Sequence, residues 1–247
     1  MRAPALDAVI ERRLLMNYRA DPEVVARVLP APFRPLLRQG HAVVGICLLR
    51  LGSARPAGLS AALGLRSENA AHRFAVEWDT PTGVQSGVYI PRRDSASRLN
   101  VLLGGRVFPG VHHRAIFAVD ETPERLTVGY RTLDGSTHVE VDVRVTDQLR
   151  DSVLFADLAE ASAFFEHGSA GYSASRDPAK HDGLRLATSQ WRLDPCHIER
   201  TASSFYDDRA TFPPGSIEPD SALVMRNVPV RWTALTPVSG TATTTTV

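Results

Sequence analysis

Seven residues, Val139-Glu140-Val141-Asp142-Val143-Arg144-Val145, alternate strictly between valine and a charged side chain. A helix turns every 3.6 residues and would scatter those valines around its axis, whereas a strand sends successive side chains to opposite faces. The segment therefore predicts a strand with one buried and one wet face, the habit of antiparallel sheets. His72-Arg73-Phe74-Ala75-Val76-Glu77-Trp78 repeats the pattern, with Phe74, Val76 and Trp78 on one side. Asp79-Thr80-Pro81-Thr82-Gly83 is a turn cluster, and Val84 to Ile90 reads as the returning strand. His41 to Leu51, Val111 to Val119, Arg125 to Arg131, Leu184 to Trp191 and Ile198 to Phe205 add further strand segments. About eight or nine strands between short turns predict an all but closed barrel.

Helices are few. Asp21-Pro22-Glu23 supplies an N-cap and a first-turn proline, Val24, Val25, Val28 and Leu29 follow at helical spacing, and Pro30 and Pro32 end the run. Asp94 or Ser95 is placed to cap a second helix through Leu99, Leu102 and Leu103, closed by Gly104-Gly105. Asp157 to His167 carries an apolar stripe of Leu158, Ala161, Phe164 and Phe165 and stops at Gly168. Gly52 to Gly64 reads as loop or short helix. The expected fold class is α+β and β-rich: a mostly antiparallel barrel with a few flanking helices. No composition shift divides the chain, so 1–238 is expected to form one domain, and the Thr-rich 239–247 a disordered tail.

Charge and cysteine content exclude several classes. The formal net charge is +1, without the basic excess of a nucleic-acid binder. No apolar run is long enough to span a membrane. The first sixteen residues lack the order of a secretory signal, so a cytoplasmic protein is expected. Cys47 lies in an apolar run and is expected to be a core thiol. Cys196 and His197 are neighbours, and on a strand they point apart, a poor geometry for a nucleophile and its base. Lys180 is the only lysine. Arginine stays protonated and forms no imine, so Schiff-base chemistry would have to use Lys180 or the chain terminus.

The residues able to carry chemistry gather in the middle of the chain. His112-His113 follow the turn Phe108-Pro109-Gly110-Val111 and open a strand, so one imidazole faces inward and the other outward. Histidine titrates near neutrality, and the inward ring is a candidate acid or base. Glu68-Asn69 precede a strand at what would be a barrel mouth, where a carboxylate could move a proton or orient a substrate. Arg73 lies a few residues on. Arg92, Arg93, Arg98, Arg106 and Arg114 form a cluster suited to carboxylate or phosphate recognition through paired hydrogen bonds. The histidines lack metal-binding spacing and no CxxC, phosphate-loop, dinucleotide or GxSxG motif is present, so no metal or cofactor is expected.

Three segments taken together resemble the bacterial YqjF-like family. They are Gly87-Val88-Tyr89-Ile90-Pro91-Arg92-Arg93-Asp94-Ser95, Arg98-Leu99-Asn100 and Gly105-Arg106-Val107-Phe108-Pro109-Gly110-Val111-His112-His113. That family is domain of unknown function 2071, placed in the acetoacetate-decarboxylase-like superfamily. The likeness covers about residues 10 to 235 and extends to Glu68-Asn69 and to the closing run Leu223 to Trp232. It implies a cone-shaped β-barrel around a cavity, in a homo-oligomer. In true decarboxylases a lysine after the turn forms the imine; the matching stretch here is Gly110-Val111-His112-His113-Arg114, without that lysine. Glu68 matches the pocket glutamate weakly. The resulting expectation is an enzyme acting on a keto acid or similar metabolite by acid/base chemistry. His112 or His113 and Glu68 would move protons; Arg73, Arg92 or Arg106 would hold the anion, and Tyr89 would line the ligand site. The alternative is a protein that binds or senses a small ligand in the same cavity without turning it over.

Overall fold

The computed structural model describes residues 5–105 and 108–240. The chain opens with β1 (Leu6–Ala20), α1 (Pro22–Val28), the short β2 (Arg34–Pro35) and β3 (Leu37–Arg38), and β4 (His41–Pro56). Then follow β5 (Leu65–Thr80), β6 (Gly83–Ser95), α2 (Arg98–Leu103), β7 (His112–Glu121), β8 (Arg125–Thr132) and β9 (His138–Val145). The last part holds α3 (Leu158–His167), β10 (Ala170–Ala174), β11 (Lys180–Ala187), β12 (Asp194–Ser203) and the long β13 (Ile217–Ser239).

The strands join into one sheet that closes on itself twice. One circuit runs β6-β7-β8-β9-β12-β13-β1-β4-β5 and back to β6. The other leaves β6 through β10 and β11 and returns along β13, β1, β4 and β5. The pairings are antiparallel except β6 with β7 and β6 with β10. This is the β-rich, mostly antiparallel, barrel-like architecture expected from the alternating segments; closure also leaves few exposed strand edges.

Sharing strands between two circuits buries both of their faces. On β4, Val44, Ile46 and Leu48 enter one core while Val43 and Cys47 enter a second. On β1, Leu14 and Met16 enter the first and Leu15 the second. A strand buried on both sides loses the polar/apolar alternation that marks an ordinary antiparallel strand. β1 was accordingly absent from the expected strands, its signal further masked by Glu11, Arg12 and Arg13. β4 also runs on to Pro56, into the segment read as loop, and a single 3-10 turn follows at Ala61–Leu63.

The helix caps follow local chemistry. The Asp21 carboxylate accepts from the backbone N–H of Glu23 and Val24, and Asp157 from Glu160. Phe165 and Ala161 of α3 then pack into the second core. The cap of α2 is Ser97, whose hydroxyl accepts from Asn100 N–H at 3.2 Å, not Asp94 or Ser95. Those two end β6 and are buried: Asp94 bonds Arg92 and Tyr130, and Ser95 bonds Asn69. Ser239, read with the tail, pairs with Lys180, while 241–247 lie outside the described residues. Among the described residues no helix is long and apolar enough to cross a membrane.

Candidate functional site

A cavity of about 370 Å³ lies over the face of β4 and β5 that carries the second core. Cys47, Leu49 and Leu51 of β4 and Ser67, Asn69 and Ala71 of β5 line its floor. Leu99, Asn100 and Leu103 of α2 cover it from above, and Phe108, Pro109 and His112 close one end beside Arg93. Most of the lining is hydrocarbon; Arg93, Asp94, Asn69, Asn100 and His112 are polar groups toward that end, with Ser67, Ser97 and Arg55 elsewhere in the wall, the usual composition of a small-molecule site.

His112 and Arg93 sit directly opposite each other where β6 and β7 run parallel. Phe108 lies parallel to the imidazole with ring centres 6.3 Å apart. Gly104 lets the residue approach: a Cβ there would stand 3.0 Å from the His112 backbone nitrogen and 3.1 Å from its Cβ and Cγ. Neither ring nitrogen of His112 makes a hydrogen bond of ordinary geometry. Burial, with Arg93 as the next cause, pushes the imidazole down to about 3, against the weaker pull of the Pro109 and Asn100 carbonyls. It is therefore neutral at physiological pH. The Arg93 guanidinium donates to the Ser173 hydroxyl at 3.2 Å, and no carboxylate among the described residues pairs with it. Burial lowers its pKa to about 10, so it keeps its charge near neutrality. Asn100 reaches across to Asn69 at 3.1 Å, and the Ser95 hydroxyl donates to the same Asn69 oxygen at 2.7 Å. One end of the cavity thus holds a cation without a carboxylate partner among the described residues, a neutral imidazole, two amides and Asp94, whose carboxylate is engaged by Arg92 and Tyr130.

Other residues singled out by the sequence lie elsewhere. His113 points away from His112 and sits 3.8 Å from Asp134 near the surface. Glu68 faces the opposite side of β5 from Asn69 and is taken up by two arginines, Arg12 and Arg50, each at 2.5 Å. Arg73 is buried under α3, donating to Asn17, with its guanidinium 4.8 Å from the Phe165 ring centre. Burial lowers its pKa to about 10. Arg92 pairs with Asp94 and donates to Ser136. Tyr89 packs between Phe33 and His181, away from the cavity. Arg106 lies outside the described residues. Lys180 sits on the surface, paired with Asp177 at 2.8 Å and its side chain 55% exposed, so the cavity has no primary amine from it. Cys196 is buried and its thiol is pushed up to about 12, leaving no thiolate near neutral pH. Among the described residues no cluster of His, Cys, Asp and Glu is placed to hold a metal.

Two features escaped the sequence reading. Arg93 belongs to the arginine cluster, although the sequence points to Arg73, Arg92 or Arg106 as the anion holder. The alternation of Arg92 and Arg93 on a strand was the available signal: it puts one on each face, and Asp94, two residues from Arg92, claims that one. The second is a row of opposed residues across four strands, Arg226, Arg12, Arg50 and Glu68, which Glu121 completes from β7.

The fold is that of the acetoacetate-decarboxylase-like proteins. An acetoacetate-decarboxylase-like enzyme from Sphingomonas wittichii superposes with a TM-score of 0.61 at 10% identity, covering 96% of this chain and 94% of the other. The enduracididine biosynthesis enzyme MppR, solved with pyruvate, gives 0.60 at 12% identity, covering 96% and 90%. Acetoacetate decarboxylase from Legionella pneumophila gives 0.59 at 10%, covering 95% and 88%. The chain belongs to the DUF2071 family, an uncharacterized conserved protein family whose model matches residues 8–229. None of the curated proteins matches it in sequence.

Proposed function

We propose that the cavity beside Arg93 and His112 takes a small oxygenated acid of the keto-acid type and transfers a proton on it without a Schiff base. The observation that carries this reading is the pairing of a half-buried guanidinium, without a carboxylate partner among the described residues, with a neutral imidazole at the end of an apolar cavity. A ligand carboxylate would accept hydrogen bonds from Arg93 and cancel its charge. Part of the repulsion that holds the His112 imidazole down then disappears, and its pKa rises toward the range useful for acid/base work. The neutral ring takes a proton from the carbon beside the ligand's carbonyl. The electron pair left behind becomes an enolate, whose charge lies near Arg93. MppR, of the same fold, is solved with pyruvate, which supports an acid of this class. Glu68 takes no part, because Arg12 and Arg50 already hold both of its oxygens.

The test is deuterium exchange into pyruvate and acetoacetate followed by NMR, with ligand-induced thermal stabilisation measured in parallel. The wild type should accelerate exchange, His112→Gln should bind without exchanging, and Arg93→Gln should lose binding. Saturable binding with no exchange in the wild type would move the protein to the second reading, a non-catalytic binding or sensing module in the same cavity. An absence of both binding and exchange would remove the site.

A further inference from the structure

Resting on that acid reading, we infer that the ligand is a single-chain amphiphile: a carboxylate or keto acid head at Arg93 with a hydrocarbon tail lying along β4 and β5. The first ground is length. Ala71, Asn69, Ser67 and Leu65 alternate along one face of β5 and all line the cavity. At about 3.3 Å per residue they span about 20 Å, far beyond the reach of a three-carbon acid.

The second ground is polarity along that length. Arg93, His112, Asn69 and Asn100 lie at one end. Leu49 is opposite Asn69 and Leu51 opposite Ser67, and Leu6 with its partner Trp232 continues the apolar wall. Arg55, the charged group at the far end, is already bonded to the Leu59 and Ser53 carbonyls. The third ground is the mouth, where Leu63, Leu65 and Leu99 line the cavity yet are 66%, 51% and 44% exposed. Apolar surface left in water at the edge of a pocket is the mark of a site completed by apolar contact. A peptide fits this wall poorly, because its backbone N–H and C=O groups would meet leucines instead of partners.

The experiment is calorimetric binding of butanoate, hexanoate, octanoate and decanoate to the full chain, with octanol as the neutral control. Affinity should rise about threefold per added methylene until the tail fills the groove. Arg93→Gln should weaken the acids by at least about tenfold and leave octanol unchanged. Leu63→Gln and Leu65→Gln, at exposed positions the fold does not rely on, should reduce the gain for the longest acids alone. Butanoate binding as tightly as decanoate would overturn the tail and leave the acid reading standing. Octanol matching octanoate, with no effect of Arg93→Gln, would overturn the acid reading itself. No binding at any chain length would overturn both.

Discussion

A group of arginines on one face of the shared strands has carboxylate partners, whereas Arg93 on the opposite face has none among the described residues. On the first face Arg226, Arg12 and Arg50 stand side by side across β13, β1 and β4, with Glu68 and Glu121 between their guanidinium groups. On the second face Arg93 has a serine hydroxyl and a neutral histidine. Removing ions from water is expensive unless each is paired and hydrogen-bonded, so the first group reads as part of the scaffold. The second retains an unmet electrostatic demand, which an incoming anion answers. Proximity of charged residues therefore does not define a site here; a missing counter-charge at the wall of a cavity does, since Arg73, also without a carboxylate partner among the described residues, lies against Asn17 and the Phe165 ring and not in the cavity wall.

The strongest way to break this contrast is Arg12→Met. Arg12 is fully buried and bonded to both carboxylates, so its loss should destabilise the protein by about 3–5 kcal/mol in denaturant titrations. A change below about 1 kcal/mol would show that the network is not structural.

An effect that is smaller over any single pH unit should appear in acid. Burial holds His72 and His112 near 3, against an ordinary value of 6.5, so between those limits the unfolded chain binds protons that the folded chain refuses. Their contribution to stability is complete above about pH 6.5 and is lost as pH falls toward 3, at about 1.4 kcal/mol per pH unit for each ring. Denaturation midpoints between pH 7 and 4 should show this limb, and His72→Gln or His112→Gln should flatten it. A limb of unchanged steepness in both variants would contradict the assignment.

The smallest stability effect should come from Arg93→Gln. It removes a hydrogen bond to Ser173 together with an uncompensated cation, so the net change should stay within about 1 kcal/mol while acid binding collapses. A large loss of stability would place Arg93 with the scaffold.

The sequence disclosed the class of fold because strands such as Val139–Val145 are wet on one side, and their alternation survives in the text of the chain. It disclosed α1 through Asp21, whose side chain acts within a few residues, and α3 through the apolar stripe Leu158, Ala161, Phe164 and Phe165. It also showed that His112 and His113 part company. It could not show which of them meets the hollow, nor which of Arg92 and Arg93 does, because alternation separates neighbours without saying what lies on each side. That depends on pairings such as Arg93 with His112, or Arg50 with Glu68, between distant parts of the chain. β1 was hidden for a related reason: the partners that bury Arg12, Glu68 and Glu121, are 56 and 109 residues away.

β13 belongs to both strand circuits: its first half pairs with β12 and its second half with β11, while β1 lies along its other edge. During synthesis, neither ring can shut until this strand has emerged from the ribosome, however early the other strands appear. The nascent chain must therefore carry β1 with one edge open long after β4 has paired with the other, until β13 arrives to close both rings.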